Sequence, residues 1–489
     1  MNRPLRRVGV ACMLLFGLLM LQVNWIQVVK AKDYRNDPRN RRVLLRTYDR
    51  ERGPIIVGTG KDAAAIARST ATTDALKYLR TYPGGAVYAP VTGFASFVYG
   101  YTGIERQENS VLSGDDERLL VRRLSDYITG RQIKGGTVEL TLSDKAQKAA
   151  YAGLAGKRGA VVALDPRTGA ILAEATSPSY DPALVSTHDG KAIRAEYKKL
   201  LDADGSPFTN RAVQSTYPPG STFKVITSAA ALAHGLTPQT RIPSPTVLDL
   251  PGTTANLKNF GGETCGNGSS TTLVDALVIS CNTAFGALGM RLGQDTVRQQ
   301  AEAFGFGDDS LDLPQPVAAS VFPTDLTKAQ VAQSSIGQYD VRVTPLQMAM
   351  VAAGIGNGGT VMRPYLVNRV LADDLSELSS NEPHLYRQAV SSDVSKQLTA
   401  MMVAVVQRGT GTKAQINGVT VAGKTGTAQH GDGEPPHAWF IGFAPAVNPV
   451  VAVAVVVEDG GVSGKNAETT GGKVAAPIAR DVMEAILHP

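Results

Sequence analysis

Ser221 and Lys224 stand three positions apart in YPPGSTFK, Tyr217 to Lys224, a spacing that puts a hydroxyl and an amine on one face of a helix. Proline fixes its own φ and keeps the residue before it out of helix, while Gly220 permits close backbone approach. A helix is therefore expected to begin near Ser221. There, unpaired backbone N–H groups and the positive end of the helix dipole favour developing negative charge. The continuation VITSAAALAHGL is apolar nearly all round, the pattern of a helix buried on all sides. A lysine carried into such a place has its charged form disfavoured, so the neutral amine can act as a base toward the hydroxyl. The same residues admit a plainer reading, with Ser221 as an N-cap and Lys224 reaching back to solvent.

Two further clusters bear on that choice. Ser280, Cys281 and Asn282 read SCN between two apolar helical segments, a hydroxyl able to relay a proton and an amide able to hold a substrate amide. Lys424, Thr425, Gly426 and Thr427 read KTGT in a strand-like stretch, a second cation and two hydroxyls on an edge whose glycine leaves room for a ligand backbone. Each cluster alone is a common chance pattern. GVTVAGKT, Gly418 to Thr425, also fits the phosphate-loop pattern GxxxxGK[ST], but strand formers occupy its middle and GTAQHGDGEPP follows where a helix should start. No nucleotide partner is expected. His430 and His437 flank the last motif without metal-ligand company and are expected at the surface or the substrate edge. No metal and no cofactor is called for.

The elements that must position these groups lie outside a membrane. Val8 to Val29 holds no charge and follows Arg3, Arg6 and Arg7. As a helix it spans about 33 Å, enough to cross a bilayer. The arginines favour residues 1–7 as a cytoplasmic tail, 8–29 as an uncleaved anchor and the rest outside the cytoplasm, in preference to a cleaved signal peptide. Net charge is +6 over 489 residues, and no basic stretch is interleaved with aromatics, so no nucleic-acid partner is expected. Cys12 sits in the anchor, leaving Cys265 and Cys281 either bridged or as two buried thiols.

Residues 30–144 read as a first, turn-rich module, with candidate helices at KDAAAIARS and TTDALKYLR, ending in DDERLLVRRLSDYITGRQIKGG, and with a boundary near Gly135 and Gly136. Residues 145–489 read as a second module. A helix N-capped by Ser143 leads into the hairpin RGAVVALDPRTGAILAEATSP, then helices, then the strands GVTVAGKTGTA, HAWFIGFAPA and VAVAVVVEDG and a closing helix. Two strands early and three late predict an α+β fold, one antiparallel sheet assembled from both ends of the module and covered by helices.

The order SxxK, SxN, KTG resembles the active-site set of penicillin-binding proteins and serine β-lactamases. TGIERQENSVLSG, DPRTGAILAEATSPSYDP, VTPLQMAMVAAGIGNGG and HAWFIGFAPA are similar to segments of the class B penicillin-binding proteins. The resemblance implies a five-stranded transpeptidase domain behind a small pedestal or dimerisation-like domain. It implies Ser221 as acylated nucleophile, Lys224 as its base, Ser280 as proton relay and Asn282 as a donor-peptide ligand. Lys424, Thr425 and Thr427 would hold a terminal carboxylate beside Gly426, and the N–H groups of Ser221 and Thr427 would form the oxyanion hole. The implied partners are peptidoglycan stem peptides ending in D-Ala-D-Ala, β-lactam antibiotics, the membrane, and cell-wall synthesis or division proteins. The implied reaction is D,D-transpeptidation, with a D,D-carboxypeptidase and a non-catalytic divisome scaffold as the rivals.

Overall fold

Two opposed packing demands shape the second module of the chain, and its sheet meets both by burying each face. The computed structural model describes residues 2–30, 34, 48–58, 63–74, 76–119, 132, 134–311, 313–431, 433–461 and 470–488. Strand β11 (Val451–Val457) shows the principle, since Val451, Val453, Val455 and Val457 face one core while Ala452, Ala454 and Val456 face another. Side chains alternate along a strand, so a sheet covered on both sides reads as a continuous apolar run rather than an alternating one.

In chain order the principal elements are α1 (Asn2–Val28), β1 (Ile55–Val57), β2 (Ala64–Ala71), β3 (Tyr78–Thr81) and β4 (Thr137–Leu140). Next come α2 (Asp144–Gly153), β5 (Gly159–Leu164) and β6 (Ile171–Ser177). The helical middle holds α3 (Lys224–Ala233), α4 (Leu273–Val278), α5 (Asn282–Leu292) and α6 (Pro345–Gly356). It is followed by β7 (Val367–Leu371), β8 (Glu377–Ser380) and α7 (Ser392–Arg408). Last come β9 (Ala422–Ala428), β10 (His437–Ala444), β11 and α8 (Gly471–Leu487).

The five-stranded sheet has the order β9-β10-β11-β5-β6 and is antiparallel throughout, with its two early and three late strands joined at the β11–β5 pair. α2 and α8 cover one face, and the fully buried α6 covers the other. The expected N-cap is present, with Ser143 Oγ accepting from the Ala146 N–H.

The first module differs from the sequence expectation. KDAAAIARS and TTDALKYLR were expected as helices, but their described parts contribute the antiparallel strands β2 and β3. Alanine's helix preference is worth only tenths of a kcal/mol per residue, which is less than the pairing of β2 between β1 and β3 and the burial of Ile66 and Ala67. Most of the run after Asp116 (residues 120–131 and 133) lies outside the described residues.

The first module's sheet is six-stranded, in the order β8-β7-β4-β1-β2-β3. Two of its strands, β7 and β8, come from residues 367–380, deep in the second half of the chain. β7 pairs antiparallel with β4, which itself runs parallel to β1. Gly135 and Gly136 therefore mark a tight crossing rather than a loose linker. A Cβ on Gly135 would lie 1.9 Å from the Leu112 carbonyl oxygen, and one on Gly136 would lie 2.5 Å from that of Leu371. Residues 3–28 of α1 form a span long and apolar enough to cross a bilayer, with none of it buried against the rest of the protein.

Candidate active site

The approach to Ser221 is held from three sides. Tyr217 exchanges backbone hydrogen bonds with Val343, Trp439 Nε1 on β10 donates to the Pro218 carbonyl at 3.1 Å, and Gly220 N donates to Gly337 O at 2.9 Å. Gly220 takes a left-handed φ of 53°, and a Cβ there would sit 2.8 Å from the Thr427 carbonyl oxygen. Only glycine suits both constraints. The chain then enters a tight 3-10 turn over Gly220–Phe223 and passes into α3 at Lys224, so the helical start falls where the double proline predicts it.

Lys224 does not reach solvent, since its side chain is fully buried. Nζ donates to Ser280 O at 2.6 Å and to Asn282 Oδ1 at 2.7 Å, and lies 3.3 Å from Ser280 Oγ. Burial, with the nearby Lys424 as the lesser cause, pushes its pKa well below that of an ordinary lysine. A neutral amine has two hydrogens, which those two acceptors consume. The lone pair that remains is the group a base needs. Among the described residues no hydrogen bond joins Lys224 Nζ to Ser221 Oγ.

The second motif is placed by a turn of unusual backbone. Ser280 adopts φ 62°, a left-handed conformation that costs a non-glycine residue on the order of 1–3 kcal/mol. Cys281, the motif's middle residue, is bonded to Cys265, so the pair left open by the sequence is a disulfide closing a short loop. Asn259 Oδ1 accepts from the N–H groups of both Asn282 and Thr283, capping α5. Nothing in the sequence around Asn259 signalled that role, because capping across 23 positions leaves no local pattern. Asn282 Nδ2 donates to Lys258 O at 3.0 Å, which leaves one amide hydrogen for a ligand.

The third motif lies on β9, the edge strand of the five-stranded sheet. Lys424 is also fully buried, and Nζ donates to Ser280 Oγ at 2.9 Å and to Thr425 O at 2.9 Å. Desolvation lowers its pKa to about 7. Thr425 and Thr427 project to one side of the strand, and Thr425 Oγ1 pairs with Thr410 Oγ1 at 2.5 Å, a partner the sequence did not indicate. Gly426 is required by packing, since its Cβ would lie 2.9 Å from Pro219 O and from the Trp439 Cβ. The GxxxxGK[ST] match thus runs into a strand, with its lysine turned toward Ser280 rather than cradling a loop.

Ser221, Lys224, Ser280, Asn282 and Lys424 to Thr427 therefore converge from three distant stretches of sequence. His430 is exposed, as expected, whereas His437 is buried rather than at the surface, and the fold brings Asp459 beside both. His430 Nε2 lies 2.9 Å from Asp459 Oδ1, and the two imidazoles stack at 3.8 Å.

A family described as "Penicillin binding protein transpeptidase domain" matches residues 159–484, which contain all three motifs. The chain belongs to the penicillin-binding protein transpeptidases. Residues 52–138 of this penicillin-binding protein match a second family, "Penicillin binding protein A dimerisation domain". The chain is 48% identical over 496 residues to the peptidoglycan D,D-transpeptidase PbpA of Mycolicibacterium smegmatis, covering 100% of this chain and 99% of that one. It is 46% identical to PbpA of Mycobacterium tuberculosis over the same shares. The solved structure of penicillin-binding protein A from M. tuberculosis as a ceftriaxone acyl-enzyme complex superposes with TM-score 0.88 at 46% identity. That match covers 91% of this chain and 100% of the other. The corresponding imipenem acyl-enzyme complex gives 0.86.

Proposed function

We propose that this penicillin-binding protein is a peptidoglycan D,D-transpeptidase that works through an acyl ester on Ser221 and is acylated there by β-lactams. The observation that carries the assignment of roles is the pair of buried amines, Lys224 and Lys424, meeting at one hydroxyl, Ser280 Oγ. Lys224 takes the proton of Ser221 Oγ as the oxygen attacks the carbonyl between the two terminal D-alanines. The oxyanion that forms is held by the backbone N–H groups of Ser221 and Thr427, an interaction typically worth about 3–4 kcal/mol per donor. The C–N bond then breaks, and the proton passes through Ser280 to the departing amine of D-alanine. An amine of a neighbouring stem attacks the ester, its proton returns along the same route, and Ser221 Oγ is regenerated.

Substrate placement follows from the edge strand. β9 offers its backbone to an extended peptide as an added strand, Asn282 Nδ2 holds a peptide carbonyl, and Lys424, Thr425 and Thr427 receive the terminal carboxylate. Residues 30–144, completed by β7 and β8 from residues 367–380, serve as a pedestal or dimerisation-like domain, and the rest of 145–489 is the catalytic domain. α1 anchors the chain with residues 1–7 in the cytoplasm, and division or wall-synthesis proteins are its partners.

Intact mass after exposure to penicillin, with peptide mapping, tests the nucleophile. A single adduct on the peptide bearing Ser221, lost in Ser221→Ala with the fold unchanged, is the expected result. An adduct that persists in that variant refutes the assignment. Product analysis with a D-amino-acid acceptor tests transfer, which predicts the cross-linked or exchanged product over simple hydrolysis.

A further inference from the structure

Just past Thr427 the free edge of β9 is closed. The Gln338 side-chain amide sits with its nitrogen on the Gln429 carbonyl and its oxygen on the Gln429 N–H, both at 3.2 Å. Alternate residues of a strand turn their backbone groups to the same edge, so a peptide paired at Thr427 would find its next partner, Gln429, already taken. A donor added antiparallel to β9, with its terminal carboxylate at Lys424 to Thr427, reaches that point with the residue that precedes its two D-alanines. What lies there is an open cavity of about 460 Å³, lined by Pro218, Tyr339, Arg342, Gln429 and Glu434 among others. That volume falls in the range of small-molecule sites, roughly 300–1,000 Å³.

Two opposite charges line that cavity without partners. Arg342 Nη1 donates to the carbonyls of Tyr339 and Val341, both at 3.2 Å, which fixes the guanidinium and leaves Nε and Nη2 without an acceptor among the described residues. Tyr339 holds a left-handed φ of 60°, a conformation a tyrosine seldom adopts, and its hydroxyl accepts from Gln330 Nε2 at 2.7 Å, so the turn that carries Arg342 is held in place. Glu434 makes a backbone hydrogen bond to Gly431 O, and among the described residues its carboxylate has no hydrogen bond and no ion pair. Nor does any ion pair within 4.0 Å join Glu434 to Arg342. A ligand group with one charge would answer one of them, whereas a carboxylate and an ammonium carried on one carbon would answer both.

We propose that Arg342 and Glu434 form a subsite for the donor residue that precedes the two D-alanines, and that its ligand is a side chain ending in an amino-acid group. The proposal rests on the transpeptidase reading above and names what that site selects. Arg342 offers Nε and Nη2 as a fork to the carboxylate, and Glu434 accepts from the ammonium. A lysine in that position of the stem would bring an ammonium alone, leaving the guanidinium unanswered and facing a like charge. The subsite therefore selects a diamino diacid over lysine, by an attractive pair and a repulsive one together.

The acylamino side chain of a penicillin takes the place of that donor residue, so penicillins serve as probes. The test uses the full-length protein in detergent and penicillins whose acyl group is α-aminoadipyl, linked through its far carboxyl, adipyl or pentanoyl, which carry both charges, the carboxylate alone, or neither. The second-order acylation rate is measured for each, and ratios of rates are compared, because a merely structural loss slows the whole series together. The α-aminoadipyl compound is expected to react about tenfold or more faster than the pentanoyl one, the lower end of what a hydrogen bond between charged groups is worth. In Arg342→Gln the adipyl compound loses its advantage over pentanoyl, and in Glu434→Gln the α-aminoadipyl compound loses its advantage over adipyl. Equal rates across the series in the parent, or parental ratios in either variant, overturn the subsite while leaving the Ser221 reading intact. A parent that benzylpenicillin fails to label refutes the Ser221 reading, and this proposal with it.

Discussion

Lys424 Nζ donates to Ser280 Oγ at 2.9 Å, and that contact joins the third motif to the second. Lys224 Nζ lies 3.3 Å from the same oxygen, so among the described residues Ser280 is the hydroxyl that bridges the two amines and can pass a proton between them. Ser280→Ala is expected to slow acylation by a fluorescent penicillin by about 10²–10⁴-fold, the usual worth of a positioned proton-transfer group. Rapid-mixing kinetics at saturating antibiotic would measure it. A rate within a factor of a few of the parent would remove Ser280 from the proton path.

Acylation by carboxylate-bearing β-lactams should weaken as pH rises through about 7, where Lys424 loses its charge. The second-order acylation rate across pH 6–9 reports it. A profile flat through that range argues that Lys424 binds the carboxylate without its proton.

Stability should move the opposite way. The pKa of Lys424 falls from 10.5 unfolded to about 7 folded, so between those values the unfolded chain binds one proton more and stability rises with pH. Each such lysine adds at most about 1.4 kcal/mol per pH unit, and Lys224 acts in the same direction below pH 10.5. Lys424→Met should flatten the rise in melting temperature between pH 7 and 10. An identical slope in the variant would show that the lysine is not buried in its charged-disfavouring site.

Gly337→Ala should damage the site from behind. Gly337 has φ 75°, and an added Cβ would lie 2.1 Å from the Gly220 carbonyl oxygen, which cannot yield without moving Ser221. A loss of about 2–3 kcal/mol in stability and a fall in acylation rate are expected together. Chemical denaturation and penicillin labelling would check both, and wild-type behaviour in either would contradict the packing argument.

Removing the Cys265–Cys281 bridge by paired serine substitution should cost about 3 kcal/mol by loop entropy. Because Cys281 stands between Ser280 and Asn282, acylation should also slow. Unchanged kinetics in the double variant would show that Asn259 and the Lys224 contacts hold the turn alone.

Much of this was legible in the sequence. The strands GAVVAL and VAVAVVV, the Ser143 cap and the apolar run after Lys224 each state their structure locally, through periodicity, capping chemistry or uniform burial. The three motifs were readable only together, because each alone is a common chance pattern and it is their order that resembles a known active-site set. Illegible parts were those decided by distant partners. β2 and β3 carry helix-favouring residues and become strands only because β1 and its neighbours offer pairing. Asp459 reaches His430 and His437 from the far end of β11, and Asn259 caps a helix beginning at Asn282. No spacing rule connects such positions.

The return of β7 and β8 to the sheet begun by β1 has a consequence for dissection of this enzyme. A fragment starting at residue 145 would carry β7 with its β4 neighbour gone, a bare strand flank inviting intermolecular pairing. Truncation, chimera design and swapping between relatives should therefore treat residues 52–143 and 367–380 as one inseparable piece, inherited or exchanged together.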